Sequence, residues 1–147
     1  MRNKLPFLIV GIALSVLFWI FSVEILDPIR YGRQGFNDVL FNNNGYSIIA
    51  IITLAMGWAG AAVYYYLINS AAFDRWWHWL AILVVTVVLT PFVCYLAINP
   101  MFANEGKDFG PEMVQFGTYN LVVTAVAYIV ASFSIKWWSS NCRHSSF

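Results

Sequence analysis

Charge is the scarcest property of this sequence: Asp, Glu, Lys and Arg together make up 10% of its 147 residues, where a soluble domain typically carries about 25%. The formal net charge is +1, and no basic stripe of the kind nucleic acid requires is present. Cysteine is almost as sparse. Cys94 falls inside an apolar run and Cys142 in the C-terminal tail, a placement that argues against an intrachain disulfide. There is no Gly-rich phosphate loop, no HExxH and no GxSxG. Cys142-Arg143-His144 supplies two metal ligands, where zinc takes three or four. No catalytic residue, metal site or cofactor is therefore expected, and the chain is read as a non-enzyme. Internal repeats and low-complexity tracts are also missing.

What fills the chain is apolar: 61% of residues are hydrophobic and 18% aromatic. No soluble fold of this length has an interior large enough to hide that share. The apolar residues come in long uncharged runs. Tyr46–Asn69 and Trp76–Ile98 are separated only by the polar turn Asn69-Ser70-Ala71-Ala72-Phe73-Asp74-Arg75. About 20 helical residues cover the ~30 Å hydrocarbon core of a bilayer, so this pair is a membrane hairpin. Before it, Leu5–Val23 runs uncharged to Glu24, with Pro6 suited to the first turn of a helix. That run is longer than a signal-peptide core and no small-x-small cleavage site follows Phe21, so it is read as a retained span. After the hairpin, Gly117–Ile135 leads to Lys136-Trp137-Trp138.

The sequence thus predicts an all-α, integral membrane four-helix bundle, one transmembrane domain over residues 1–147. Its spans are expected near residues 5–26, 46–69, 76–98 and 117–138, with short N- and C-terminal tails and two longer extracytoplasmic loops. Asp27-Pro28 and Asn99-Pro100 are read as span ends, and Asn44 as the N-cap of the second span. In the first loop Phe36, Val39, Leu40 and Phe41 fit a short interfacial helix and equally an ordered loop resting its aromatics on the bundle.

Orientation is read from basic residues. With four spans, Arg2, Lys4, Arg75, Lys136 and Arg143 share one side against Arg30, Arg33 and Lys107 on the other. That bias makes both termini cytoplasmic, in a bacterial inner membrane. Trp76, Trp77 and Trp79 open the third span while Trp137 and Trp138 close the fourth, as interface anchors on that same side.

Between helices in lipid, small residues permit close approach and polar residues supply bonds. Gly57, Gly60 and Ala61 share a face with Thr53 in the second span. Gly11, Ser15 and Ser22 form a thinner version in the first. The fourth repeats the pattern with Gly117, Asn120, Thr124, Ala127, Ala131 and Ser134. These faces are read as helix-packing surfaces, with pore lining as the alternative. Glu24 is expected to pair with Arg30 or Arg33 at the outer rim, and Pro91 to kink the third span. Tyr31, Phe36, Phe41, Phe102 and Phe109 are read as exposed aromatics of the loops, fitting a recognition surface and equally a set of interfacial anchors. The functional expectation is an anchor, sensor-like or scaffold subunit of a membrane complex, self-associating. Its partners are membrane lipid, further copies of the chain or other membrane proteins, and not nucleic acid. The alternative is a small oligomeric ion channel or membrane-permeabilising effector.

Overall fold

A computed structural model describes residues 5–27, 34–68, 76–103 and 109–138, and the regular structure among them is entirely helical. The first span is built from α1 (Leu5–Ile20) and α2 (Ser22–Leu26). Phe21 between them leaves helical geometry, with φ −93° and ψ 22°. The i→i−4 ladder nonetheless continues, because Phe21 N–H donates to Leu17 O at 2.9 Å and Ile25 N–H to Phe21 O at 3.0 Å. The two helices form one rod of about 33 Å at 1.5 Å of rise per residue, long enough to cross hydrocarbon.

Three further helices are each long and apolar enough to cross a membrane. The first, α4 (Gly45–Ala62), runs on through a π turn at Val63–Leu67, closed by Ile68 N–H to Val63 O at 2.9 Å. The others are α5 (Trp76–Phe102) and α6 (Gly110–Ile135), the latter ending in a 3₁₀ turn at Lys136–Trp138. With the α1–α2 rod they make an all-α membrane bundle of four helices. Between the first and second spans α3 (Gln34–Asn42) lies across one end. At the opposite end Phe7 and Trp137 meet at 5.7 Å between ring centroids. The start of α1 and the close of α6 therefore share what we term the near end.

Helix α6 packs against α4, α5 and α1, while α1 rests on α6 and, over less of its length, on α4. The buried stripes are regular. On α5 they are Thr86, Thr90, Cys94, Ile98 and Phe102; on α6 they include Glu112, Phe116, Asn120, Thr124 and Tyr128. Every-fourth spacing keeps a stripe almost on one side of a 3.6-residue helix. Two apolar clusters flank the middle. The near one joins Ala61, Tyr64, Tyr65, Tyr128, Ala131 and Ile135. The far one gathers Leu26, Ile49, Ile98, Phe102 and Phe116 beneath α3.

Several sequence expectations need correction. Helix α6 begins at Gly110, seven residues before the expected start near 117, because Pro111 sits in its first turn, where a missing N–H costs nothing. Helix α5, with Pro91 in its interior, continues past Asn99-Pro100, read from sequence as a span end, to Phe102. Asn44 occupies the N-cap position of α4, yet its side chain makes no capping bond and its backbone is left-handed at φ 53°, a conformation Asn tolerates. The aromatics read as exposed on the loops are mostly core: Phe36, Phe102 and Phe109 are 0%, 6% and 3% exposed. Phe36 stacks on Phe102 at 5.0 Å and tilts against Phe109 and Phe116. Of that group Phe41 is exposed, and Tyr31 lies outside the described residues. The helix and the resting aromatics, posed as alternatives, coexist in α3: Phe36, Val39 and Leu40 all turn inward.

Candidate functional site: a buried polar seam

The middle of the bundle is held by side chains that hydrocarbon cannot solvate. Asn120 on α6, Thr53 on α4 and Cys94 on α5 meet there, each at most 2% exposed. Thr53 Oγ1 donates to Asn120 Oδ1 at 3.1 Å, and Asn120 Nδ2 donates to Cys94 Sγ at 3.3 Å. One amide thus joins three helices. The seam continues along α6 and α5. Thr124 Oγ1 donates to Asn120 O at 2.7 Å, and Thr90 Oγ1 donates to Thr86 O at 2.7 Å. Each hydroxyl answers a backbone carbonyl one turn earlier, as Ser and Thr do in membrane helices. Thr90 thereby bonds in the turn that Pro91 leaves without one of its own N–H groups.

Small residues set the distances that the seam needs. A Cβ built on Gly57 would lie 3.2 Å from the backbone of Ala127 and Tyr128, and one on Gly60 would lie 3.1 Å from Thr86 Cγ2. The two glycines therefore let α4 approach α6 and α5 respectively. Gly11 does the same for α1: an added Cβ would lie 2.6 Å from Ser134 Cβ. Ala61, Ala131 and Ser134 are buried, and Ala127 is half-buried against Gly57. The face of α6 read from sequence as packing or pore-lining is covered by helices of its own chain.

Further polar ties secure the edges. Trp58 Nε1 donates to Ser15 Oγ at 3.0 Å, Ser15 itself donating to Gly11 O. Tyr119 Oη donates to Ile25 O at 2.9 Å, and Tyr46 Oη to Asp27 Oδ1 at 3.1 Å. Trp79 Nε1 donates to Ser132 Oγ at 2.8 Å, so this tryptophan fastens α5 to α6. Trp76 and Trp77 are exposed and stack on each other at 3.7 Å. Trp137 is 37% exposed, and Trp138 closes the 3₁₀ turn.

The basic half of the expected rim pair, Arg30 and Arg33, lies outside the described residues, as do Arg2, Lys4, Arg75, Cys142 and His144. Glu24 is exposed on α2. Glu112 rather than Glu24 is the carboxylate placed inside a helix stripe, 8% exposed. Among the described residues no group of His, Cys, Asp and Glu is arranged to hold a metal ion. The packing roles of Cys94, Lys136 and the tyrosines of the near cluster were not read from the sequence, although the every-fourth spacing from Thr86 to Phe102 marks the side on which Cys94 falls.

Fold and seam together define a four-helix integral membrane protein tied internally by polar contacts. No family model, curated protein or solved structure matches this chain.

Proposed function

We propose that this chain is a non-catalytic subunit of a membrane complex, an anchor or sensor-like scaffold that self-associates within a bacterial inner membrane and keeps both termini in the cytoplasm. The observation that carries the reading is where the polar chemistry goes. Thr53, Asn120, Thr124 and Thr90 are wholly buried and bonded within the chain, so they serve cohesion rather than a passing substrate. The lateral surface, by contrast, is apolar and ridged. Of α1 only Gly11 is buried. A shallow groove of about 620 Å³ runs between α1 and α4, lined by Ile12, Val16, Trp19, Ile51 and Trp58 among others. Such an apolar groove suits a helix of a second copy or of another membrane protein, which gains van der Waals contact there.

The channel reading finds less support, because its lining face on α6, with Asn120 and Thr124 at 0% exposure and Ser134 at 4%, is turned into the bundle. Affinity purification from mild detergent after in-membrane cross-linking tests the proposal. The expected result is an oligomer or a co-purified membrane partner, with cross-links from Ile12 or Val16 of α1. Monomer alone under all conditions overturns it. Reporter fusions at each terminus check the topology, and opposite locations of the two ends refute an even number of spans.

A further inference from the structure

The first span and α6 are pinned together at two levels and part between them. At the near level Gly11 meets Ser134; at the far level Tyr119 Oη donates to Ile25 O. Between the pins lies a cleft of about 370 Å³, lined by Leu14, Phe18, Ile25, Val122, Val126 and Val130 among others. The hydroxyls on its wall are already engaged, Tyr119 with Ile25 O and Ser15 with Gly11 O and the Trp58 indole. Buried water needs roughly two to four polar partners, so this cleft excludes it. A void, in turn, forfeits dispersion contacts along both walls, and an apolar cavity of ~150 Å³ already takes up benzene. The occupant is therefore hydrocarbon.

Length and outlet identify that hydrocarbon. From Leu14 to Ile25 on the first span, and from Val130 back to Tyr119 on α6, the cleft extends about 16 Å at 1.5 Å per residue. Leu14 stands near the middle of the α1–α2 rod and Ile25 near its far end, so the cleft spans one leaflet, about 15 Å of a ~30 Å core. A helix laid along it would have to part both pins, whereas one extended chain fits between them. Leu14, Val122 and Val126, at 47%, 62% and 56% exposure, form lips that open sideways, so a chain enters without leaving its leaflet. The rim above selects the headgroup. Glu24, next to Ile25, and Asp38 on α3 are exposed, and among the described residues α2, α3 and α6 carry no lysine or arginine. A negative rim attracts an ammonium and repels a net anionic headgroup. We propose that the cleft holds one acyl chain of an aminophospholipid of the far leaflet, its ammonium over Glu24. The site lies on the other flank of α1 from the groove facing α4 and is independent of whether the chain is a scaffold.

Photolabelling reads the occupant. The full chain is reconstituted with phosphatidylethanolamine carrying a diazirine midway along one acyl chain, and the adducts are mapped by mass spectrometry. Val88 and Phe92 on α5 report bulk lipid: each is 61% exposed, and they match Val126 and Val122 in depth, because α5 and α6 run antiparallel with Cys94 level with Asn120. The expected result is severalfold more label on Val122 and Val126 than on Val88 and Phe92. Even labelling of the four in the wild-type chain overturns the proposal without any variant having to fold. Val126→Trp, which fills the cleft from its lip, should remove the excess on Val122, and Val88→Trp should keep it. Persistence of that excess in Val126→Trp overturns the cleft as its source. Competition with unlabelled lipids of the same chains reads the headgroup. Phosphatidylethanolamine should suppress the label about threefold better than phosphatidylglycerol, the scale of one exposed ion pair, and Glu24→Gln should bring the two to parity. Equal competition in the wild-type chain overturns the aminophospholipid, and an unchanged preference in Glu24→Gln overturns Glu24 as its partner.

Discussion

Replacing Asn120 asks whether the seam holds the bundle together. The side chain is 0% exposed, with Thr53 Oγ1 3.1 Å from its Oδ1 and Cys94 Sγ 3.3 Å from its Nδ2. Interhelical hydrogen bonds in membrane proteins average about 0.6 kcal/mol and reach about 1.7. Sulfur is a weak acceptor, so the Thr53 link carries most of the effect. Thr53→Ala should cost about 0.5–1 kcal/mol, moderated because the native hydroxyl has a fallback partner in the carbonyl four residues back. Asn120→Ala loses both bonds and leaves a small void, together about 2 kcal/mol. Because both variants break the same bond, the double mutant should cost less than the sum, with a coupling of about 1 kcal/mol. Equilibrium unfolding of the four proteins in mixed micelles, titrated with a denaturing detergent, yields the cycle. Additivity to within the roughly 0.3–0.5 kcal/mol of independent sites would refute the claim that this amide joins α4 to α6.

Two other substitutions probe the remaining attachments. Gly11→Ala drives a methyl into the Ser134 side chain and should lower stability by about 1–3 kcal/mol, the usual cost of overpacking. Ser134→Gly in that background should recover much of the loss by the same unfolding assay, and a neutral Gly11→Ala would mean that α1 is not held at this contact. Phe36→Ala removes the ring that α3 inserts among Phe102, Phe109 and Phe116, a loss of about 3 kcal/mol or more. Hydrogen exchange should quicken across residues 34–42 while α4 to α6 stay protected; unchanged protection of α3 would count against its docking through that ring.

Spans were legible because length and the absence of charge report directly on hydrocarbon. Ends were less so, since a proline or a carboxylate reads as loop. Pro111 and Glu112 are compatible with a first helical turn, so α6 starts before the expected 117, and Pro100 lies in the last turn of α5 rather than beyond its end. Packing faces built on glycine were visible at Gly57 and Gly60, because spacing alone places them. The partners were not: nothing in the sequence says that Gly60 meets Thr86 while Gly57 meets Ala127. The aromatics of the loops misled for a related reason. Hydropathy does not distinguish a phenylalanine facing headgroups from one under a lid, and α3 is such a lid over Phe102 and Phe109. The π turn at Val63–Leu67 carries no signature beyond its run of tyrosines.

The four helices are not equally secured, and the difference bears on what a partner could move. Helices in lipid lack a hydrophobic force between them, so cohesion rests on close backbone approach and on polar bonds. The α4–α5–α6 unit has both along its length: Gly57 and Gly60 bring backbones together, Asn120 ties all three, and Trp79 fastens the near end. The first span is held at separate points: Phe7 against Trp137, Gly11 against Ser134, Ser15 under Trp58, and, at the far end, Ile25 O beneath Tyr119 and Asp27 beneath Tyr46. Between these points a cleft of about 370 Å³, lined by Leu14, Phe18, Val122 and Val126 among others, separates it from α6. An occupant of that cleft, or a neighbour in the groove on its other flank, needs to outweigh only a few such contacts to shift α1, whereas shifting α5 would break the seam. If the chain senses a partner, the moving part is therefore α1, and Trp58→Phe, which removes its tie to Ser15, should weaken the hold on α1 while leaving the Thr53–Asn120 coupling unchanged.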